Sequence, residues 1–125
     1  MSFSERRKYP RIAETVSFQV SVGTEKLQTL TKNLSCGGAL CSLPEEIAPM
    51  TKLEVVLELP AVRGSAVPGR QQVYCRGVVV RQDRLPLEES AYLTAIYFSD
   101  LKQEDRRRIG EFVLQSMLSH DRRRS

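Results

Sequence analysis

Short runs in which apolar and polar residues alternate are the feature that most constrains this chain. In the first run, residues 14–22, the apolar side chains Val16, Phe18 and Val20 occupy even positions and polar residues separate them. Alternation with a period of two places all the apolar side chains on one face of an extended strand. Gly23 then supplies a turn. The pattern predicts a half-buried β-strand and a core built from sheet.

Five more segments rich in Val, Leu, Ile or Thr recur at short intervals. They lie at 25–33, 39–41, 53–59, 73–82 and 91–98. β-Branched and aromatic residues favour strands, and glycine or proline lies in the connections between these segments. Six short strands joined in this way are typical of a small antiparallel barrel or sandwich. The sequence therefore predicts a mainly β fold.

The last segment changes from a strand period to a helical one. Its apolar residues at helical spacing are Ile109, Phe112, Val113, Met117 and Leu118. A single apolar stripe predicts a C-terminal α-helix that docks one face on the sheet. Ser99 or Asp100 is expected to cap its N-terminus. The arginines at 106–108 are expected to lie on or beside the opposite face, in solvent.

A chain of 125 residues has room for one hydrophobic core. Residues 1–12 are polar and basic, and Pro10 prevents a settled helix there, which predicts a flexible basic arm. The predicted organisation is this arm, a domain of strands and helix at 13–119, and a disordered tail at 120–125.

Charge and cysteine content narrow the class of protein. The formal net charge of +4 is concentrated in short basic clusters near both ends, which indicates a phosphate-bearing partner without choosing between a nucleotide, a nucleic acid and a membrane surface. The alternative is that these clusters are solvated termini. Three cysteines form no metal-binding pair or disulfide framework and suit a reducing cytosol. No signal peptide opens the chain, and no apolar run is long enough to span a membrane. We expect a cytoplasmic protein without membrane insertion.

Catalysis is not expected from this sequence. The sole histidine, His120, lies near the C-terminus without a nucleophile or carboxylate beside it, and there is no phosphate-binding glycine loop, zinc spacing or serine elbow. We therefore predict no enzyme activity, no catalytic residues, no metal and no cofactor.

Two polar motifs carry the functional prediction. The arm contains R-x-x-x-R, with Arg7 and Arg11, and the second strand leads into N-x-S-x-x-G, with Asn33, Ser35 and Gly38. A guanidinium group can hold guanine O6 and N7, or two phosphate oxygens, in a bidentate manner, and it can stack on a purine.

The second motif can offer polar groups to a base edge. Asn33 and Ser35 are two apart on an extended segment and are expected to face the same side. Gly37 and Gly38 allow close approach of the backbone. The alternative is a β-turn in which Asn33 or Ser35 only caps its own backbone.

Together, the arginine arm, the six strands, the N-x-S-x-x-G motif and the closing helix resemble the PilZ domain family over nearly the whole chain. The resemblance implies a six-stranded antiparallel β-barrel. It also implies that cyclic di-GMP, a bacterial second messenger, binds between the arm and the outer barrel surface. Arg7 and Arg11 would be the arm residues, and Asn33, Ser35, Gly37 and Gly38 the barrel residues. Asn33 stands where the family more often has Asp, which removes one charged acceptor.

The same resemblance implies further details of binding. Arg6 precedes the first motif arginine, and a basic residue there is associated in the family with a stacked pair of ligands, so we expect two cyclic di-GMP molecules per chain. Lys8 and Arg81 are weaker candidates for ligand contact. Near the last strand the family often has Gly where this chain has Ala95, a small change in packing.

Three functions are compared. The first is a cyclic di-GMP receptor that changes conformation and signals to an effector protein, in a process such as motility or exopolysaccharide output. The second is a basic barrel that binds nucleic acid, although Tyr74, Tyr92 and Tyr97 share no evident face for base stacking. The third is a PilZ-like adaptor that binds protein and no nucleotide. The intact motifs favour the first function, with no nucleic acid as partner.

Overall fold

In the computed structural model of this chain, the described residues are 12–13, 15–61, 69–85 and 91–124, with side chains of the last segment described through Ser119. This part contains six strands and one helix. In chain order they are β1 (Ser17–Val22), β2 (Glu25–Leu34), β3 (Gly38–Leu43), β4 (Lys52–Leu59), β5 (Gln71–Arg84), β6 (Tyr92–Asp100) and α1 (Gln103–Arg124).

The six strands close into a barrel in the order β1-β2-β3-β6-β5-β4. Every pairing between neighbours is antiparallel, including β1 with β4, which closes the barrel. A closed barrel leaves no unpaired sheet edge. The prediction of a mainly β fold with a six-stranded antiparallel barrel and a C-terminal helix is confirmed. The predicted arm lies almost wholly outside the described residues.

Alternation along the strands fills the barrel with aliphatic side chains. On β1 the inward residues Phe18 and Val20 lie opposite Leu57 and Val55 of β4. Each of these four is at most 1% exposed. Burial of a large apolar side chain contributes about 1.5–3 kcal/mol. The core therefore rests on Val, Leu, Ile and Phe, as expected of a chain without tryptophan.

Helix α1 docks through its N-terminal half, where Ile109, Phe112 and Val113 join the hydrophobic core. The prediction that Met117 and Leu118 continue this face is wrong, since they are 40% and 44% exposed. At 100° per residue, Leu118 lies opposite Ile109 on the helix. The prediction from the spacing of apolar residues therefore made the docked face of α1 too long.

The start and end of α1 also differ from expectation. Ser99 and Asp100 do not cap the helix, because β6 continues through Asp100 and the helix begins at Gln103. Glu104 and Asp105 instead place negative charge in the first turn, where it interacts favourably with the positive end of the helix dipole. The helix extends to Arg124, so the domain boundary predicted at residue 119 falls inside α1.

Candidate ligand-binding site

The N-x-S-x-x-G motif forms the turn between β2 and β3. The Ser35 backbone N–H donates to the Gly38 carbonyl at 2.9 Å. The Ser35 hydroxyl oxygen accepts from the Gly37 N–H at 3.1 Å, and the residue is only 6% exposed. The backbone-capping arrangement therefore holds for Ser35. Its hydroxyl fixes the shape of the turn that follows Asn33.

Gly38 is where β3 comes closest to β6. A Cβ atom at this position would collide with the Ile96 carbonyl oxygen. The neighbouring Gly37 carbonyl accepts a hydrogen bond from the Phe98 N–H at 2.9 Å. The turn is thus held against β6 by backbone contacts that a side chain at residue 38 would prevent.

A β-bulge turns Asn33 to the outside of the barrel. The β2–β3 register shifts between Thr31 and Asn33, which leaves Lys32 as an extra residue. Thr31 and Leu34 are buried, at 2% and 0% exposure. Strict alternation from Thr31 would bury Asn33, whereas the bulge places Lys32 and Asn33 together on the outer face.

A second bulge does the same for Arg81 on β5. The β5–β6 register shifts between Val79 and Arg81, so that Val80 is the extra residue. Val79 is fully buried, while Val80 is 51% exposed. Arg81 follows on the outer face, where its Nε donates to Asp83 Oδ2 at 2.9 Å in an exposed ion pair.

The two bulges bring Asn33 and Arg81 into line across four adjacent strands. Asn33 pairs with Leu40, Leu40 with Ala95, and Ala95 with Arg81. A parallel row begins at Ser35 and continues through Gly38, Tyr97 and Val78. We call these two rows the outer plate; its residues are Asn33, Leu40, Ala95, Arg81, Ser35, Gly38, Tyr97 and Val78.

The first row of the outer plate has polar ends and an apolar middle. Its four strands span about 14 Å from β2 to β5, at about 4.8 Å per strand pair. Asn33 lies at one end of the first row and Arg81 at the other. Such a surface suits a flat ring system that carries its polar groups at the edge.

The arm is attached directly beside this plate. Ile12, the first described residue, forms an antiparallel bridge with Leu34. The Ile12 N–H donates to the Leu34 carbonyl at 3.0 Å, and the reciprocal bond is 2.9 Å. The predicted ligand residues Arg6, Arg7, Lys8 and Arg11 lie outside the described residues. Arg7 is five residues from Ile12, a reach of at most about 17 Å.

Arg106 is a residue of this region that sequence reasoning missed. Its Nη1 donates to the Cys36 carbonyl at 3.3 Å, and the Cys36 thiol donates back to the Arg106 carbonyl at 3.4 Å. These bonds join the Ser35–Gly38 turn to α1. Burial raises the pKa of the Cys36 thiol, and the charge of Arg106 partly opposes that rise. Arg106 lies three residues before Ile109 and seven before Val113, which places it beside the docked face of α1, whereas Arg107 is exposed.

Of Tyr74, Tyr92 and Tyr97, two point outward, from separate parts of the barrel surface. Tyr97 and Tyr74 both point outward, from β6 and β5, and are 55% and 62% exposed. Tyr97 lies within the plate, between Gly38 and Val78. Tyr74 is four residues further along β5 and lies outside it. Tyr92 has the inward parity of β6.

Within the described ranges, no group of three or more His, Cys, Asp and Glu residues could hold a metal ion. The helix of this part of the chain is not long and apolar enough to cross a membrane.

The chain was compared with protein families, curated proteins and solved structures. The family model described as PilZ domain matches residues 5–115. No curated protein matches the chain.

Three similar solved structures support the fold. Bacillus subtilis Inhibitor of motility (MotI/DgrA) has a TM-score of 0.78 and 22% identity, over 91% of this chain and 52% of that one. The PilZ domain of Escherichia coli YcgR, with c-di-GMP, has a TM-score of 0.66 and 14% identity, over 96% and 98%. The K. pneumonia MrkH–c-di-GMP complex has a TM-score of 0.68 and 21% identity, over 94% and 55%.

This chain therefore spans about half the length of the MotI and MrkH chains. At these identities the structural likeness shows the fold. The family model covers the arm motif, the whole barrel and the docked half of α1. The chain belongs to the PilZ domain family.

Proposed function

We propose that this protein is a cyclic di-GMP receptor that catalyses no reaction and signals to an effector protein. The observation that carries the proposal is the bridge between Ile12 and Leu34, because it attaches the arginine arm one residue away from Asn33. The family membership supports it. So do the related YcgR and MrkH structures, which contain c-di-GMP.

The proposed binding mode places the ligand between the arm and the outer plate. Arg7 and Arg11 hold guanine edges or phosphate oxygens through their guanidinium forks. Asn33 offers an amide to a base edge from the near end of the plate. Arg81 supplies positive charge at the far end. Gly37 and Gly38 let the ligand approach the backbone.

Ligand binding is proposed to close residues 5–11 over the plate. The sequence of these residues is polar and includes Pro10, so it offers little apolar surface for burial. Added ligand contacts would favour the closed arrangement and present a new surface to the effector. Amide exchange in residues 5–11 should become slower when cyclic di-GMP is added. Equal protection with and without ligand would contradict this closure.

The decisive experiment is titration calorimetry with cyclic di-GMP. The unmodified chain should bind saturably, and Arg7→Ala and Arg11→Ala should each lose most of the binding heat. Arg107→Ala is the matched control, because this arginine is exposed on α1 and lies outside the plate. Binding of mixed-sequence nucleic acid that falls steeply with salt, without saturable cyclic di-GMP binding, would favour the nucleic-acid alternative instead.

Stoichiometry tests the role of Arg6. We propose two cyclic di-GMP molecules per chain, stacked on one another, with Arg6 and Lys8 helping to neutralise the four phosphates. Arg6→Leu should lower the stoichiometry from two to one. A value of one for the unmodified chain would remove this part of the proposal and leave the receptor function intact.

A further inference from the structure

Tyr97 occupies the middle of the outer plate with a largely free ring. It lies on β6, with Gly38 opposite on β3 and Val78 opposite on β5. Gly38 has no side chain to cover the ring from the β3 side, and Tyr97 is 55% exposed. The register of β6 thus presents an aromatic face beside the turn that ends β2.

The surroundings of Tyr97 favour stacking over a role in the core. The inward positions on either side of it, Ile96 and Phe98, are each 2% exposed and pack inside the barrel. Tyr97 itself is outside that core. Aromatic side chains stack on any nucleobase through the π-face, and each stacked base contributes about 1–3 kcal/mol by alanine substitution.

The other outward tyrosine offers an internal comparison. Tyr74 is 62% exposed, so exposure alone does not separate it from Tyr97. Its hydroxyl donates to the Gln72 side chain on the same strand. It lies on β5 beyond Arg76, whose partner Asp100 is the last residue of β6, so no plate residue lies beside it. Of this pair, only Tyr97 belongs to the outer plate, in the row beside the one that joins Asn33 to Arg81.

We infer that Tyr97 is the base-stacking residue of this site, forming the floor on which a guanine of the ligand lies. The inference rests on the proposed function and adds a contact that neither sequence motif contains. Polar groups at the plate's ends would read the base edge, while Tyr97 provides affinity that depends on ring area.

Calorimetry with cyclic di-GMP on the unmodified chain and four variants tests the inference. Tyr97→Ala should weaken binding by about 5- to 150-fold, the affinity equivalent of 1–3 kcal/mol. Tyr97→Phe keeps the ring and should bind within about twofold of the unmodified chain. Tyr74→Ala should leave the affinity unchanged. Tyr97→Leu keeps bulk at the exposed site and should weaken binding as Tyr97→Ala does, which separates lost stacking from a change in folding.

A spectroscopic readout accompanies the titration. The chain contains four tyrosines and no tryptophan, so tyrosine emission can be followed directly. Addition of cyclic di-GMP should quench the emission of the unmodified chain and of Tyr74→Phe. The quenching should be lost in Tyr97→Leu, measured at saturating ligand.

The outcomes separate this inference from the function on which it rests. If the unmodified chain binds and Tyr97→Ala binds equally well, the stacking role is wrong and the receptor function stands. If the unmodified chain does not bind cyclic di-GMP, both are wrong. Equal weakening by Tyr97→Phe and Tyr97→Ala would assign the contact to the hydroxyl and overturn the stacking role.

Discussion

Inward and outward side chains alternate without interruption along strand β1, whereas a β-bulge interrupts this alternation in strand β5. β1 keeps its alternation from end to end, with Phe18 and Val20 inside and no shift in register against either neighbour. β5 breaks alternation at Val80, and β2 breaks it at Lys32. Asn33 and Arg81 directly follow those breaks. Regular alternation builds the core, and the interruptions aim the candidate ligand residues outward.

The largest expected effect on stability comes from a substitution in the core of β1, the strand with uninterrupted alternation. Phe18→Ala should lower the free energy of unfolding by about 3–5 kcal/mol, because it leaves a cavity in a fully packed barrel. Gln19→Ala, the next residue on the same strand, should change it by no more than about 0.5 kcal/mol. Chemical denaturation measures both. Similar losses for the two variants would contradict the assignment of β1 as a core strand.

The second prediction concerns Gly38, where β3 packs closely against β6. Gly38→Val should cost about 1–3 kcal/mol, because its Cβ meets the Ile96 carbonyl, and should also abolish cyclic di-GMP binding. Gly110→Ala is the control, since its Cβ would make an ordinary 3.4 Å contact with the Cys36 sulfur and favour the helix. A Gly38→Val chain of unchanged stability would show that β3 can move away from β6 there.

A pH titration probes the barrel interior. Burial raises the pKa of the Cys41 thiol to about 12, from 9.0. Above pH 9 the unfolded chain releases this proton and the folded chain keeps it. The free energy of unfolding should therefore fall by up to about 1.4 kcal/mol per pH unit between pH 9 and 12 from this thiol, whose full contribution is present below pH 9.

Cys41→Ala isolates that contribution. The variant should be less stable than the unmodified chain near neutral pH, and the difference should shrink as the pH rises from 9 towards 12. Denaturation at a series of pH values measures the difference. A gap independent of pH would mean that Cys41 ionises alike in both states.

The smallest expected effect concerns Arg81, which directly follows the β-bulge of β5. Arg81→Ala should weaken cyclic di-GMP binding by about fivefold, while stability changes little because the ion pair with Asp83 is exposed. Asp83→Asn frees the guanidinium from its competing carboxylate and should strengthen binding slightly. Calorimetry at low salt measures both. Changes in affinity of opposite sign for the two variants support ligand contact by Arg81, and changes of the same sign would contradict it.

The sequence predicted what depends on residue type and missed what depends on register. Six strands and a helix follow from apolar periodicity. The run Val78, Val79 and Val80 does not reveal which valine faces inward, because all three suit either face. The bulge that decides it arises from pairing with β6. The row linking Asn33 to Arg81 therefore required the structure.

Helix α1 shows the same limit. The spacing of its apolar residues predicted a docked face, but this spacing does not show how far along the helix the barrel surface extends. Ser116 is buried although it is polar, and Leu114 is 57% exposed although it is apolar. The link between Arg106 and Cys36 joins residues 70 positions apart in the chain. No local pattern could indicate it.

If the chain binds cyclic di-GMP as proposed, the bridge between Ile12 and Leu34 lowers the affinity that each arm arginine must supply. A segment fixed at one end meets its target at an effective concentration in the millimolar range, as short tethers do in general. A guanidinium contact too weak to capture a nucleotide from dilute solution can still be occupied most of the time. In the proposed receptor, these two backbone hydrogen bonds would thereby convert modest individual affinities into a retained ligand.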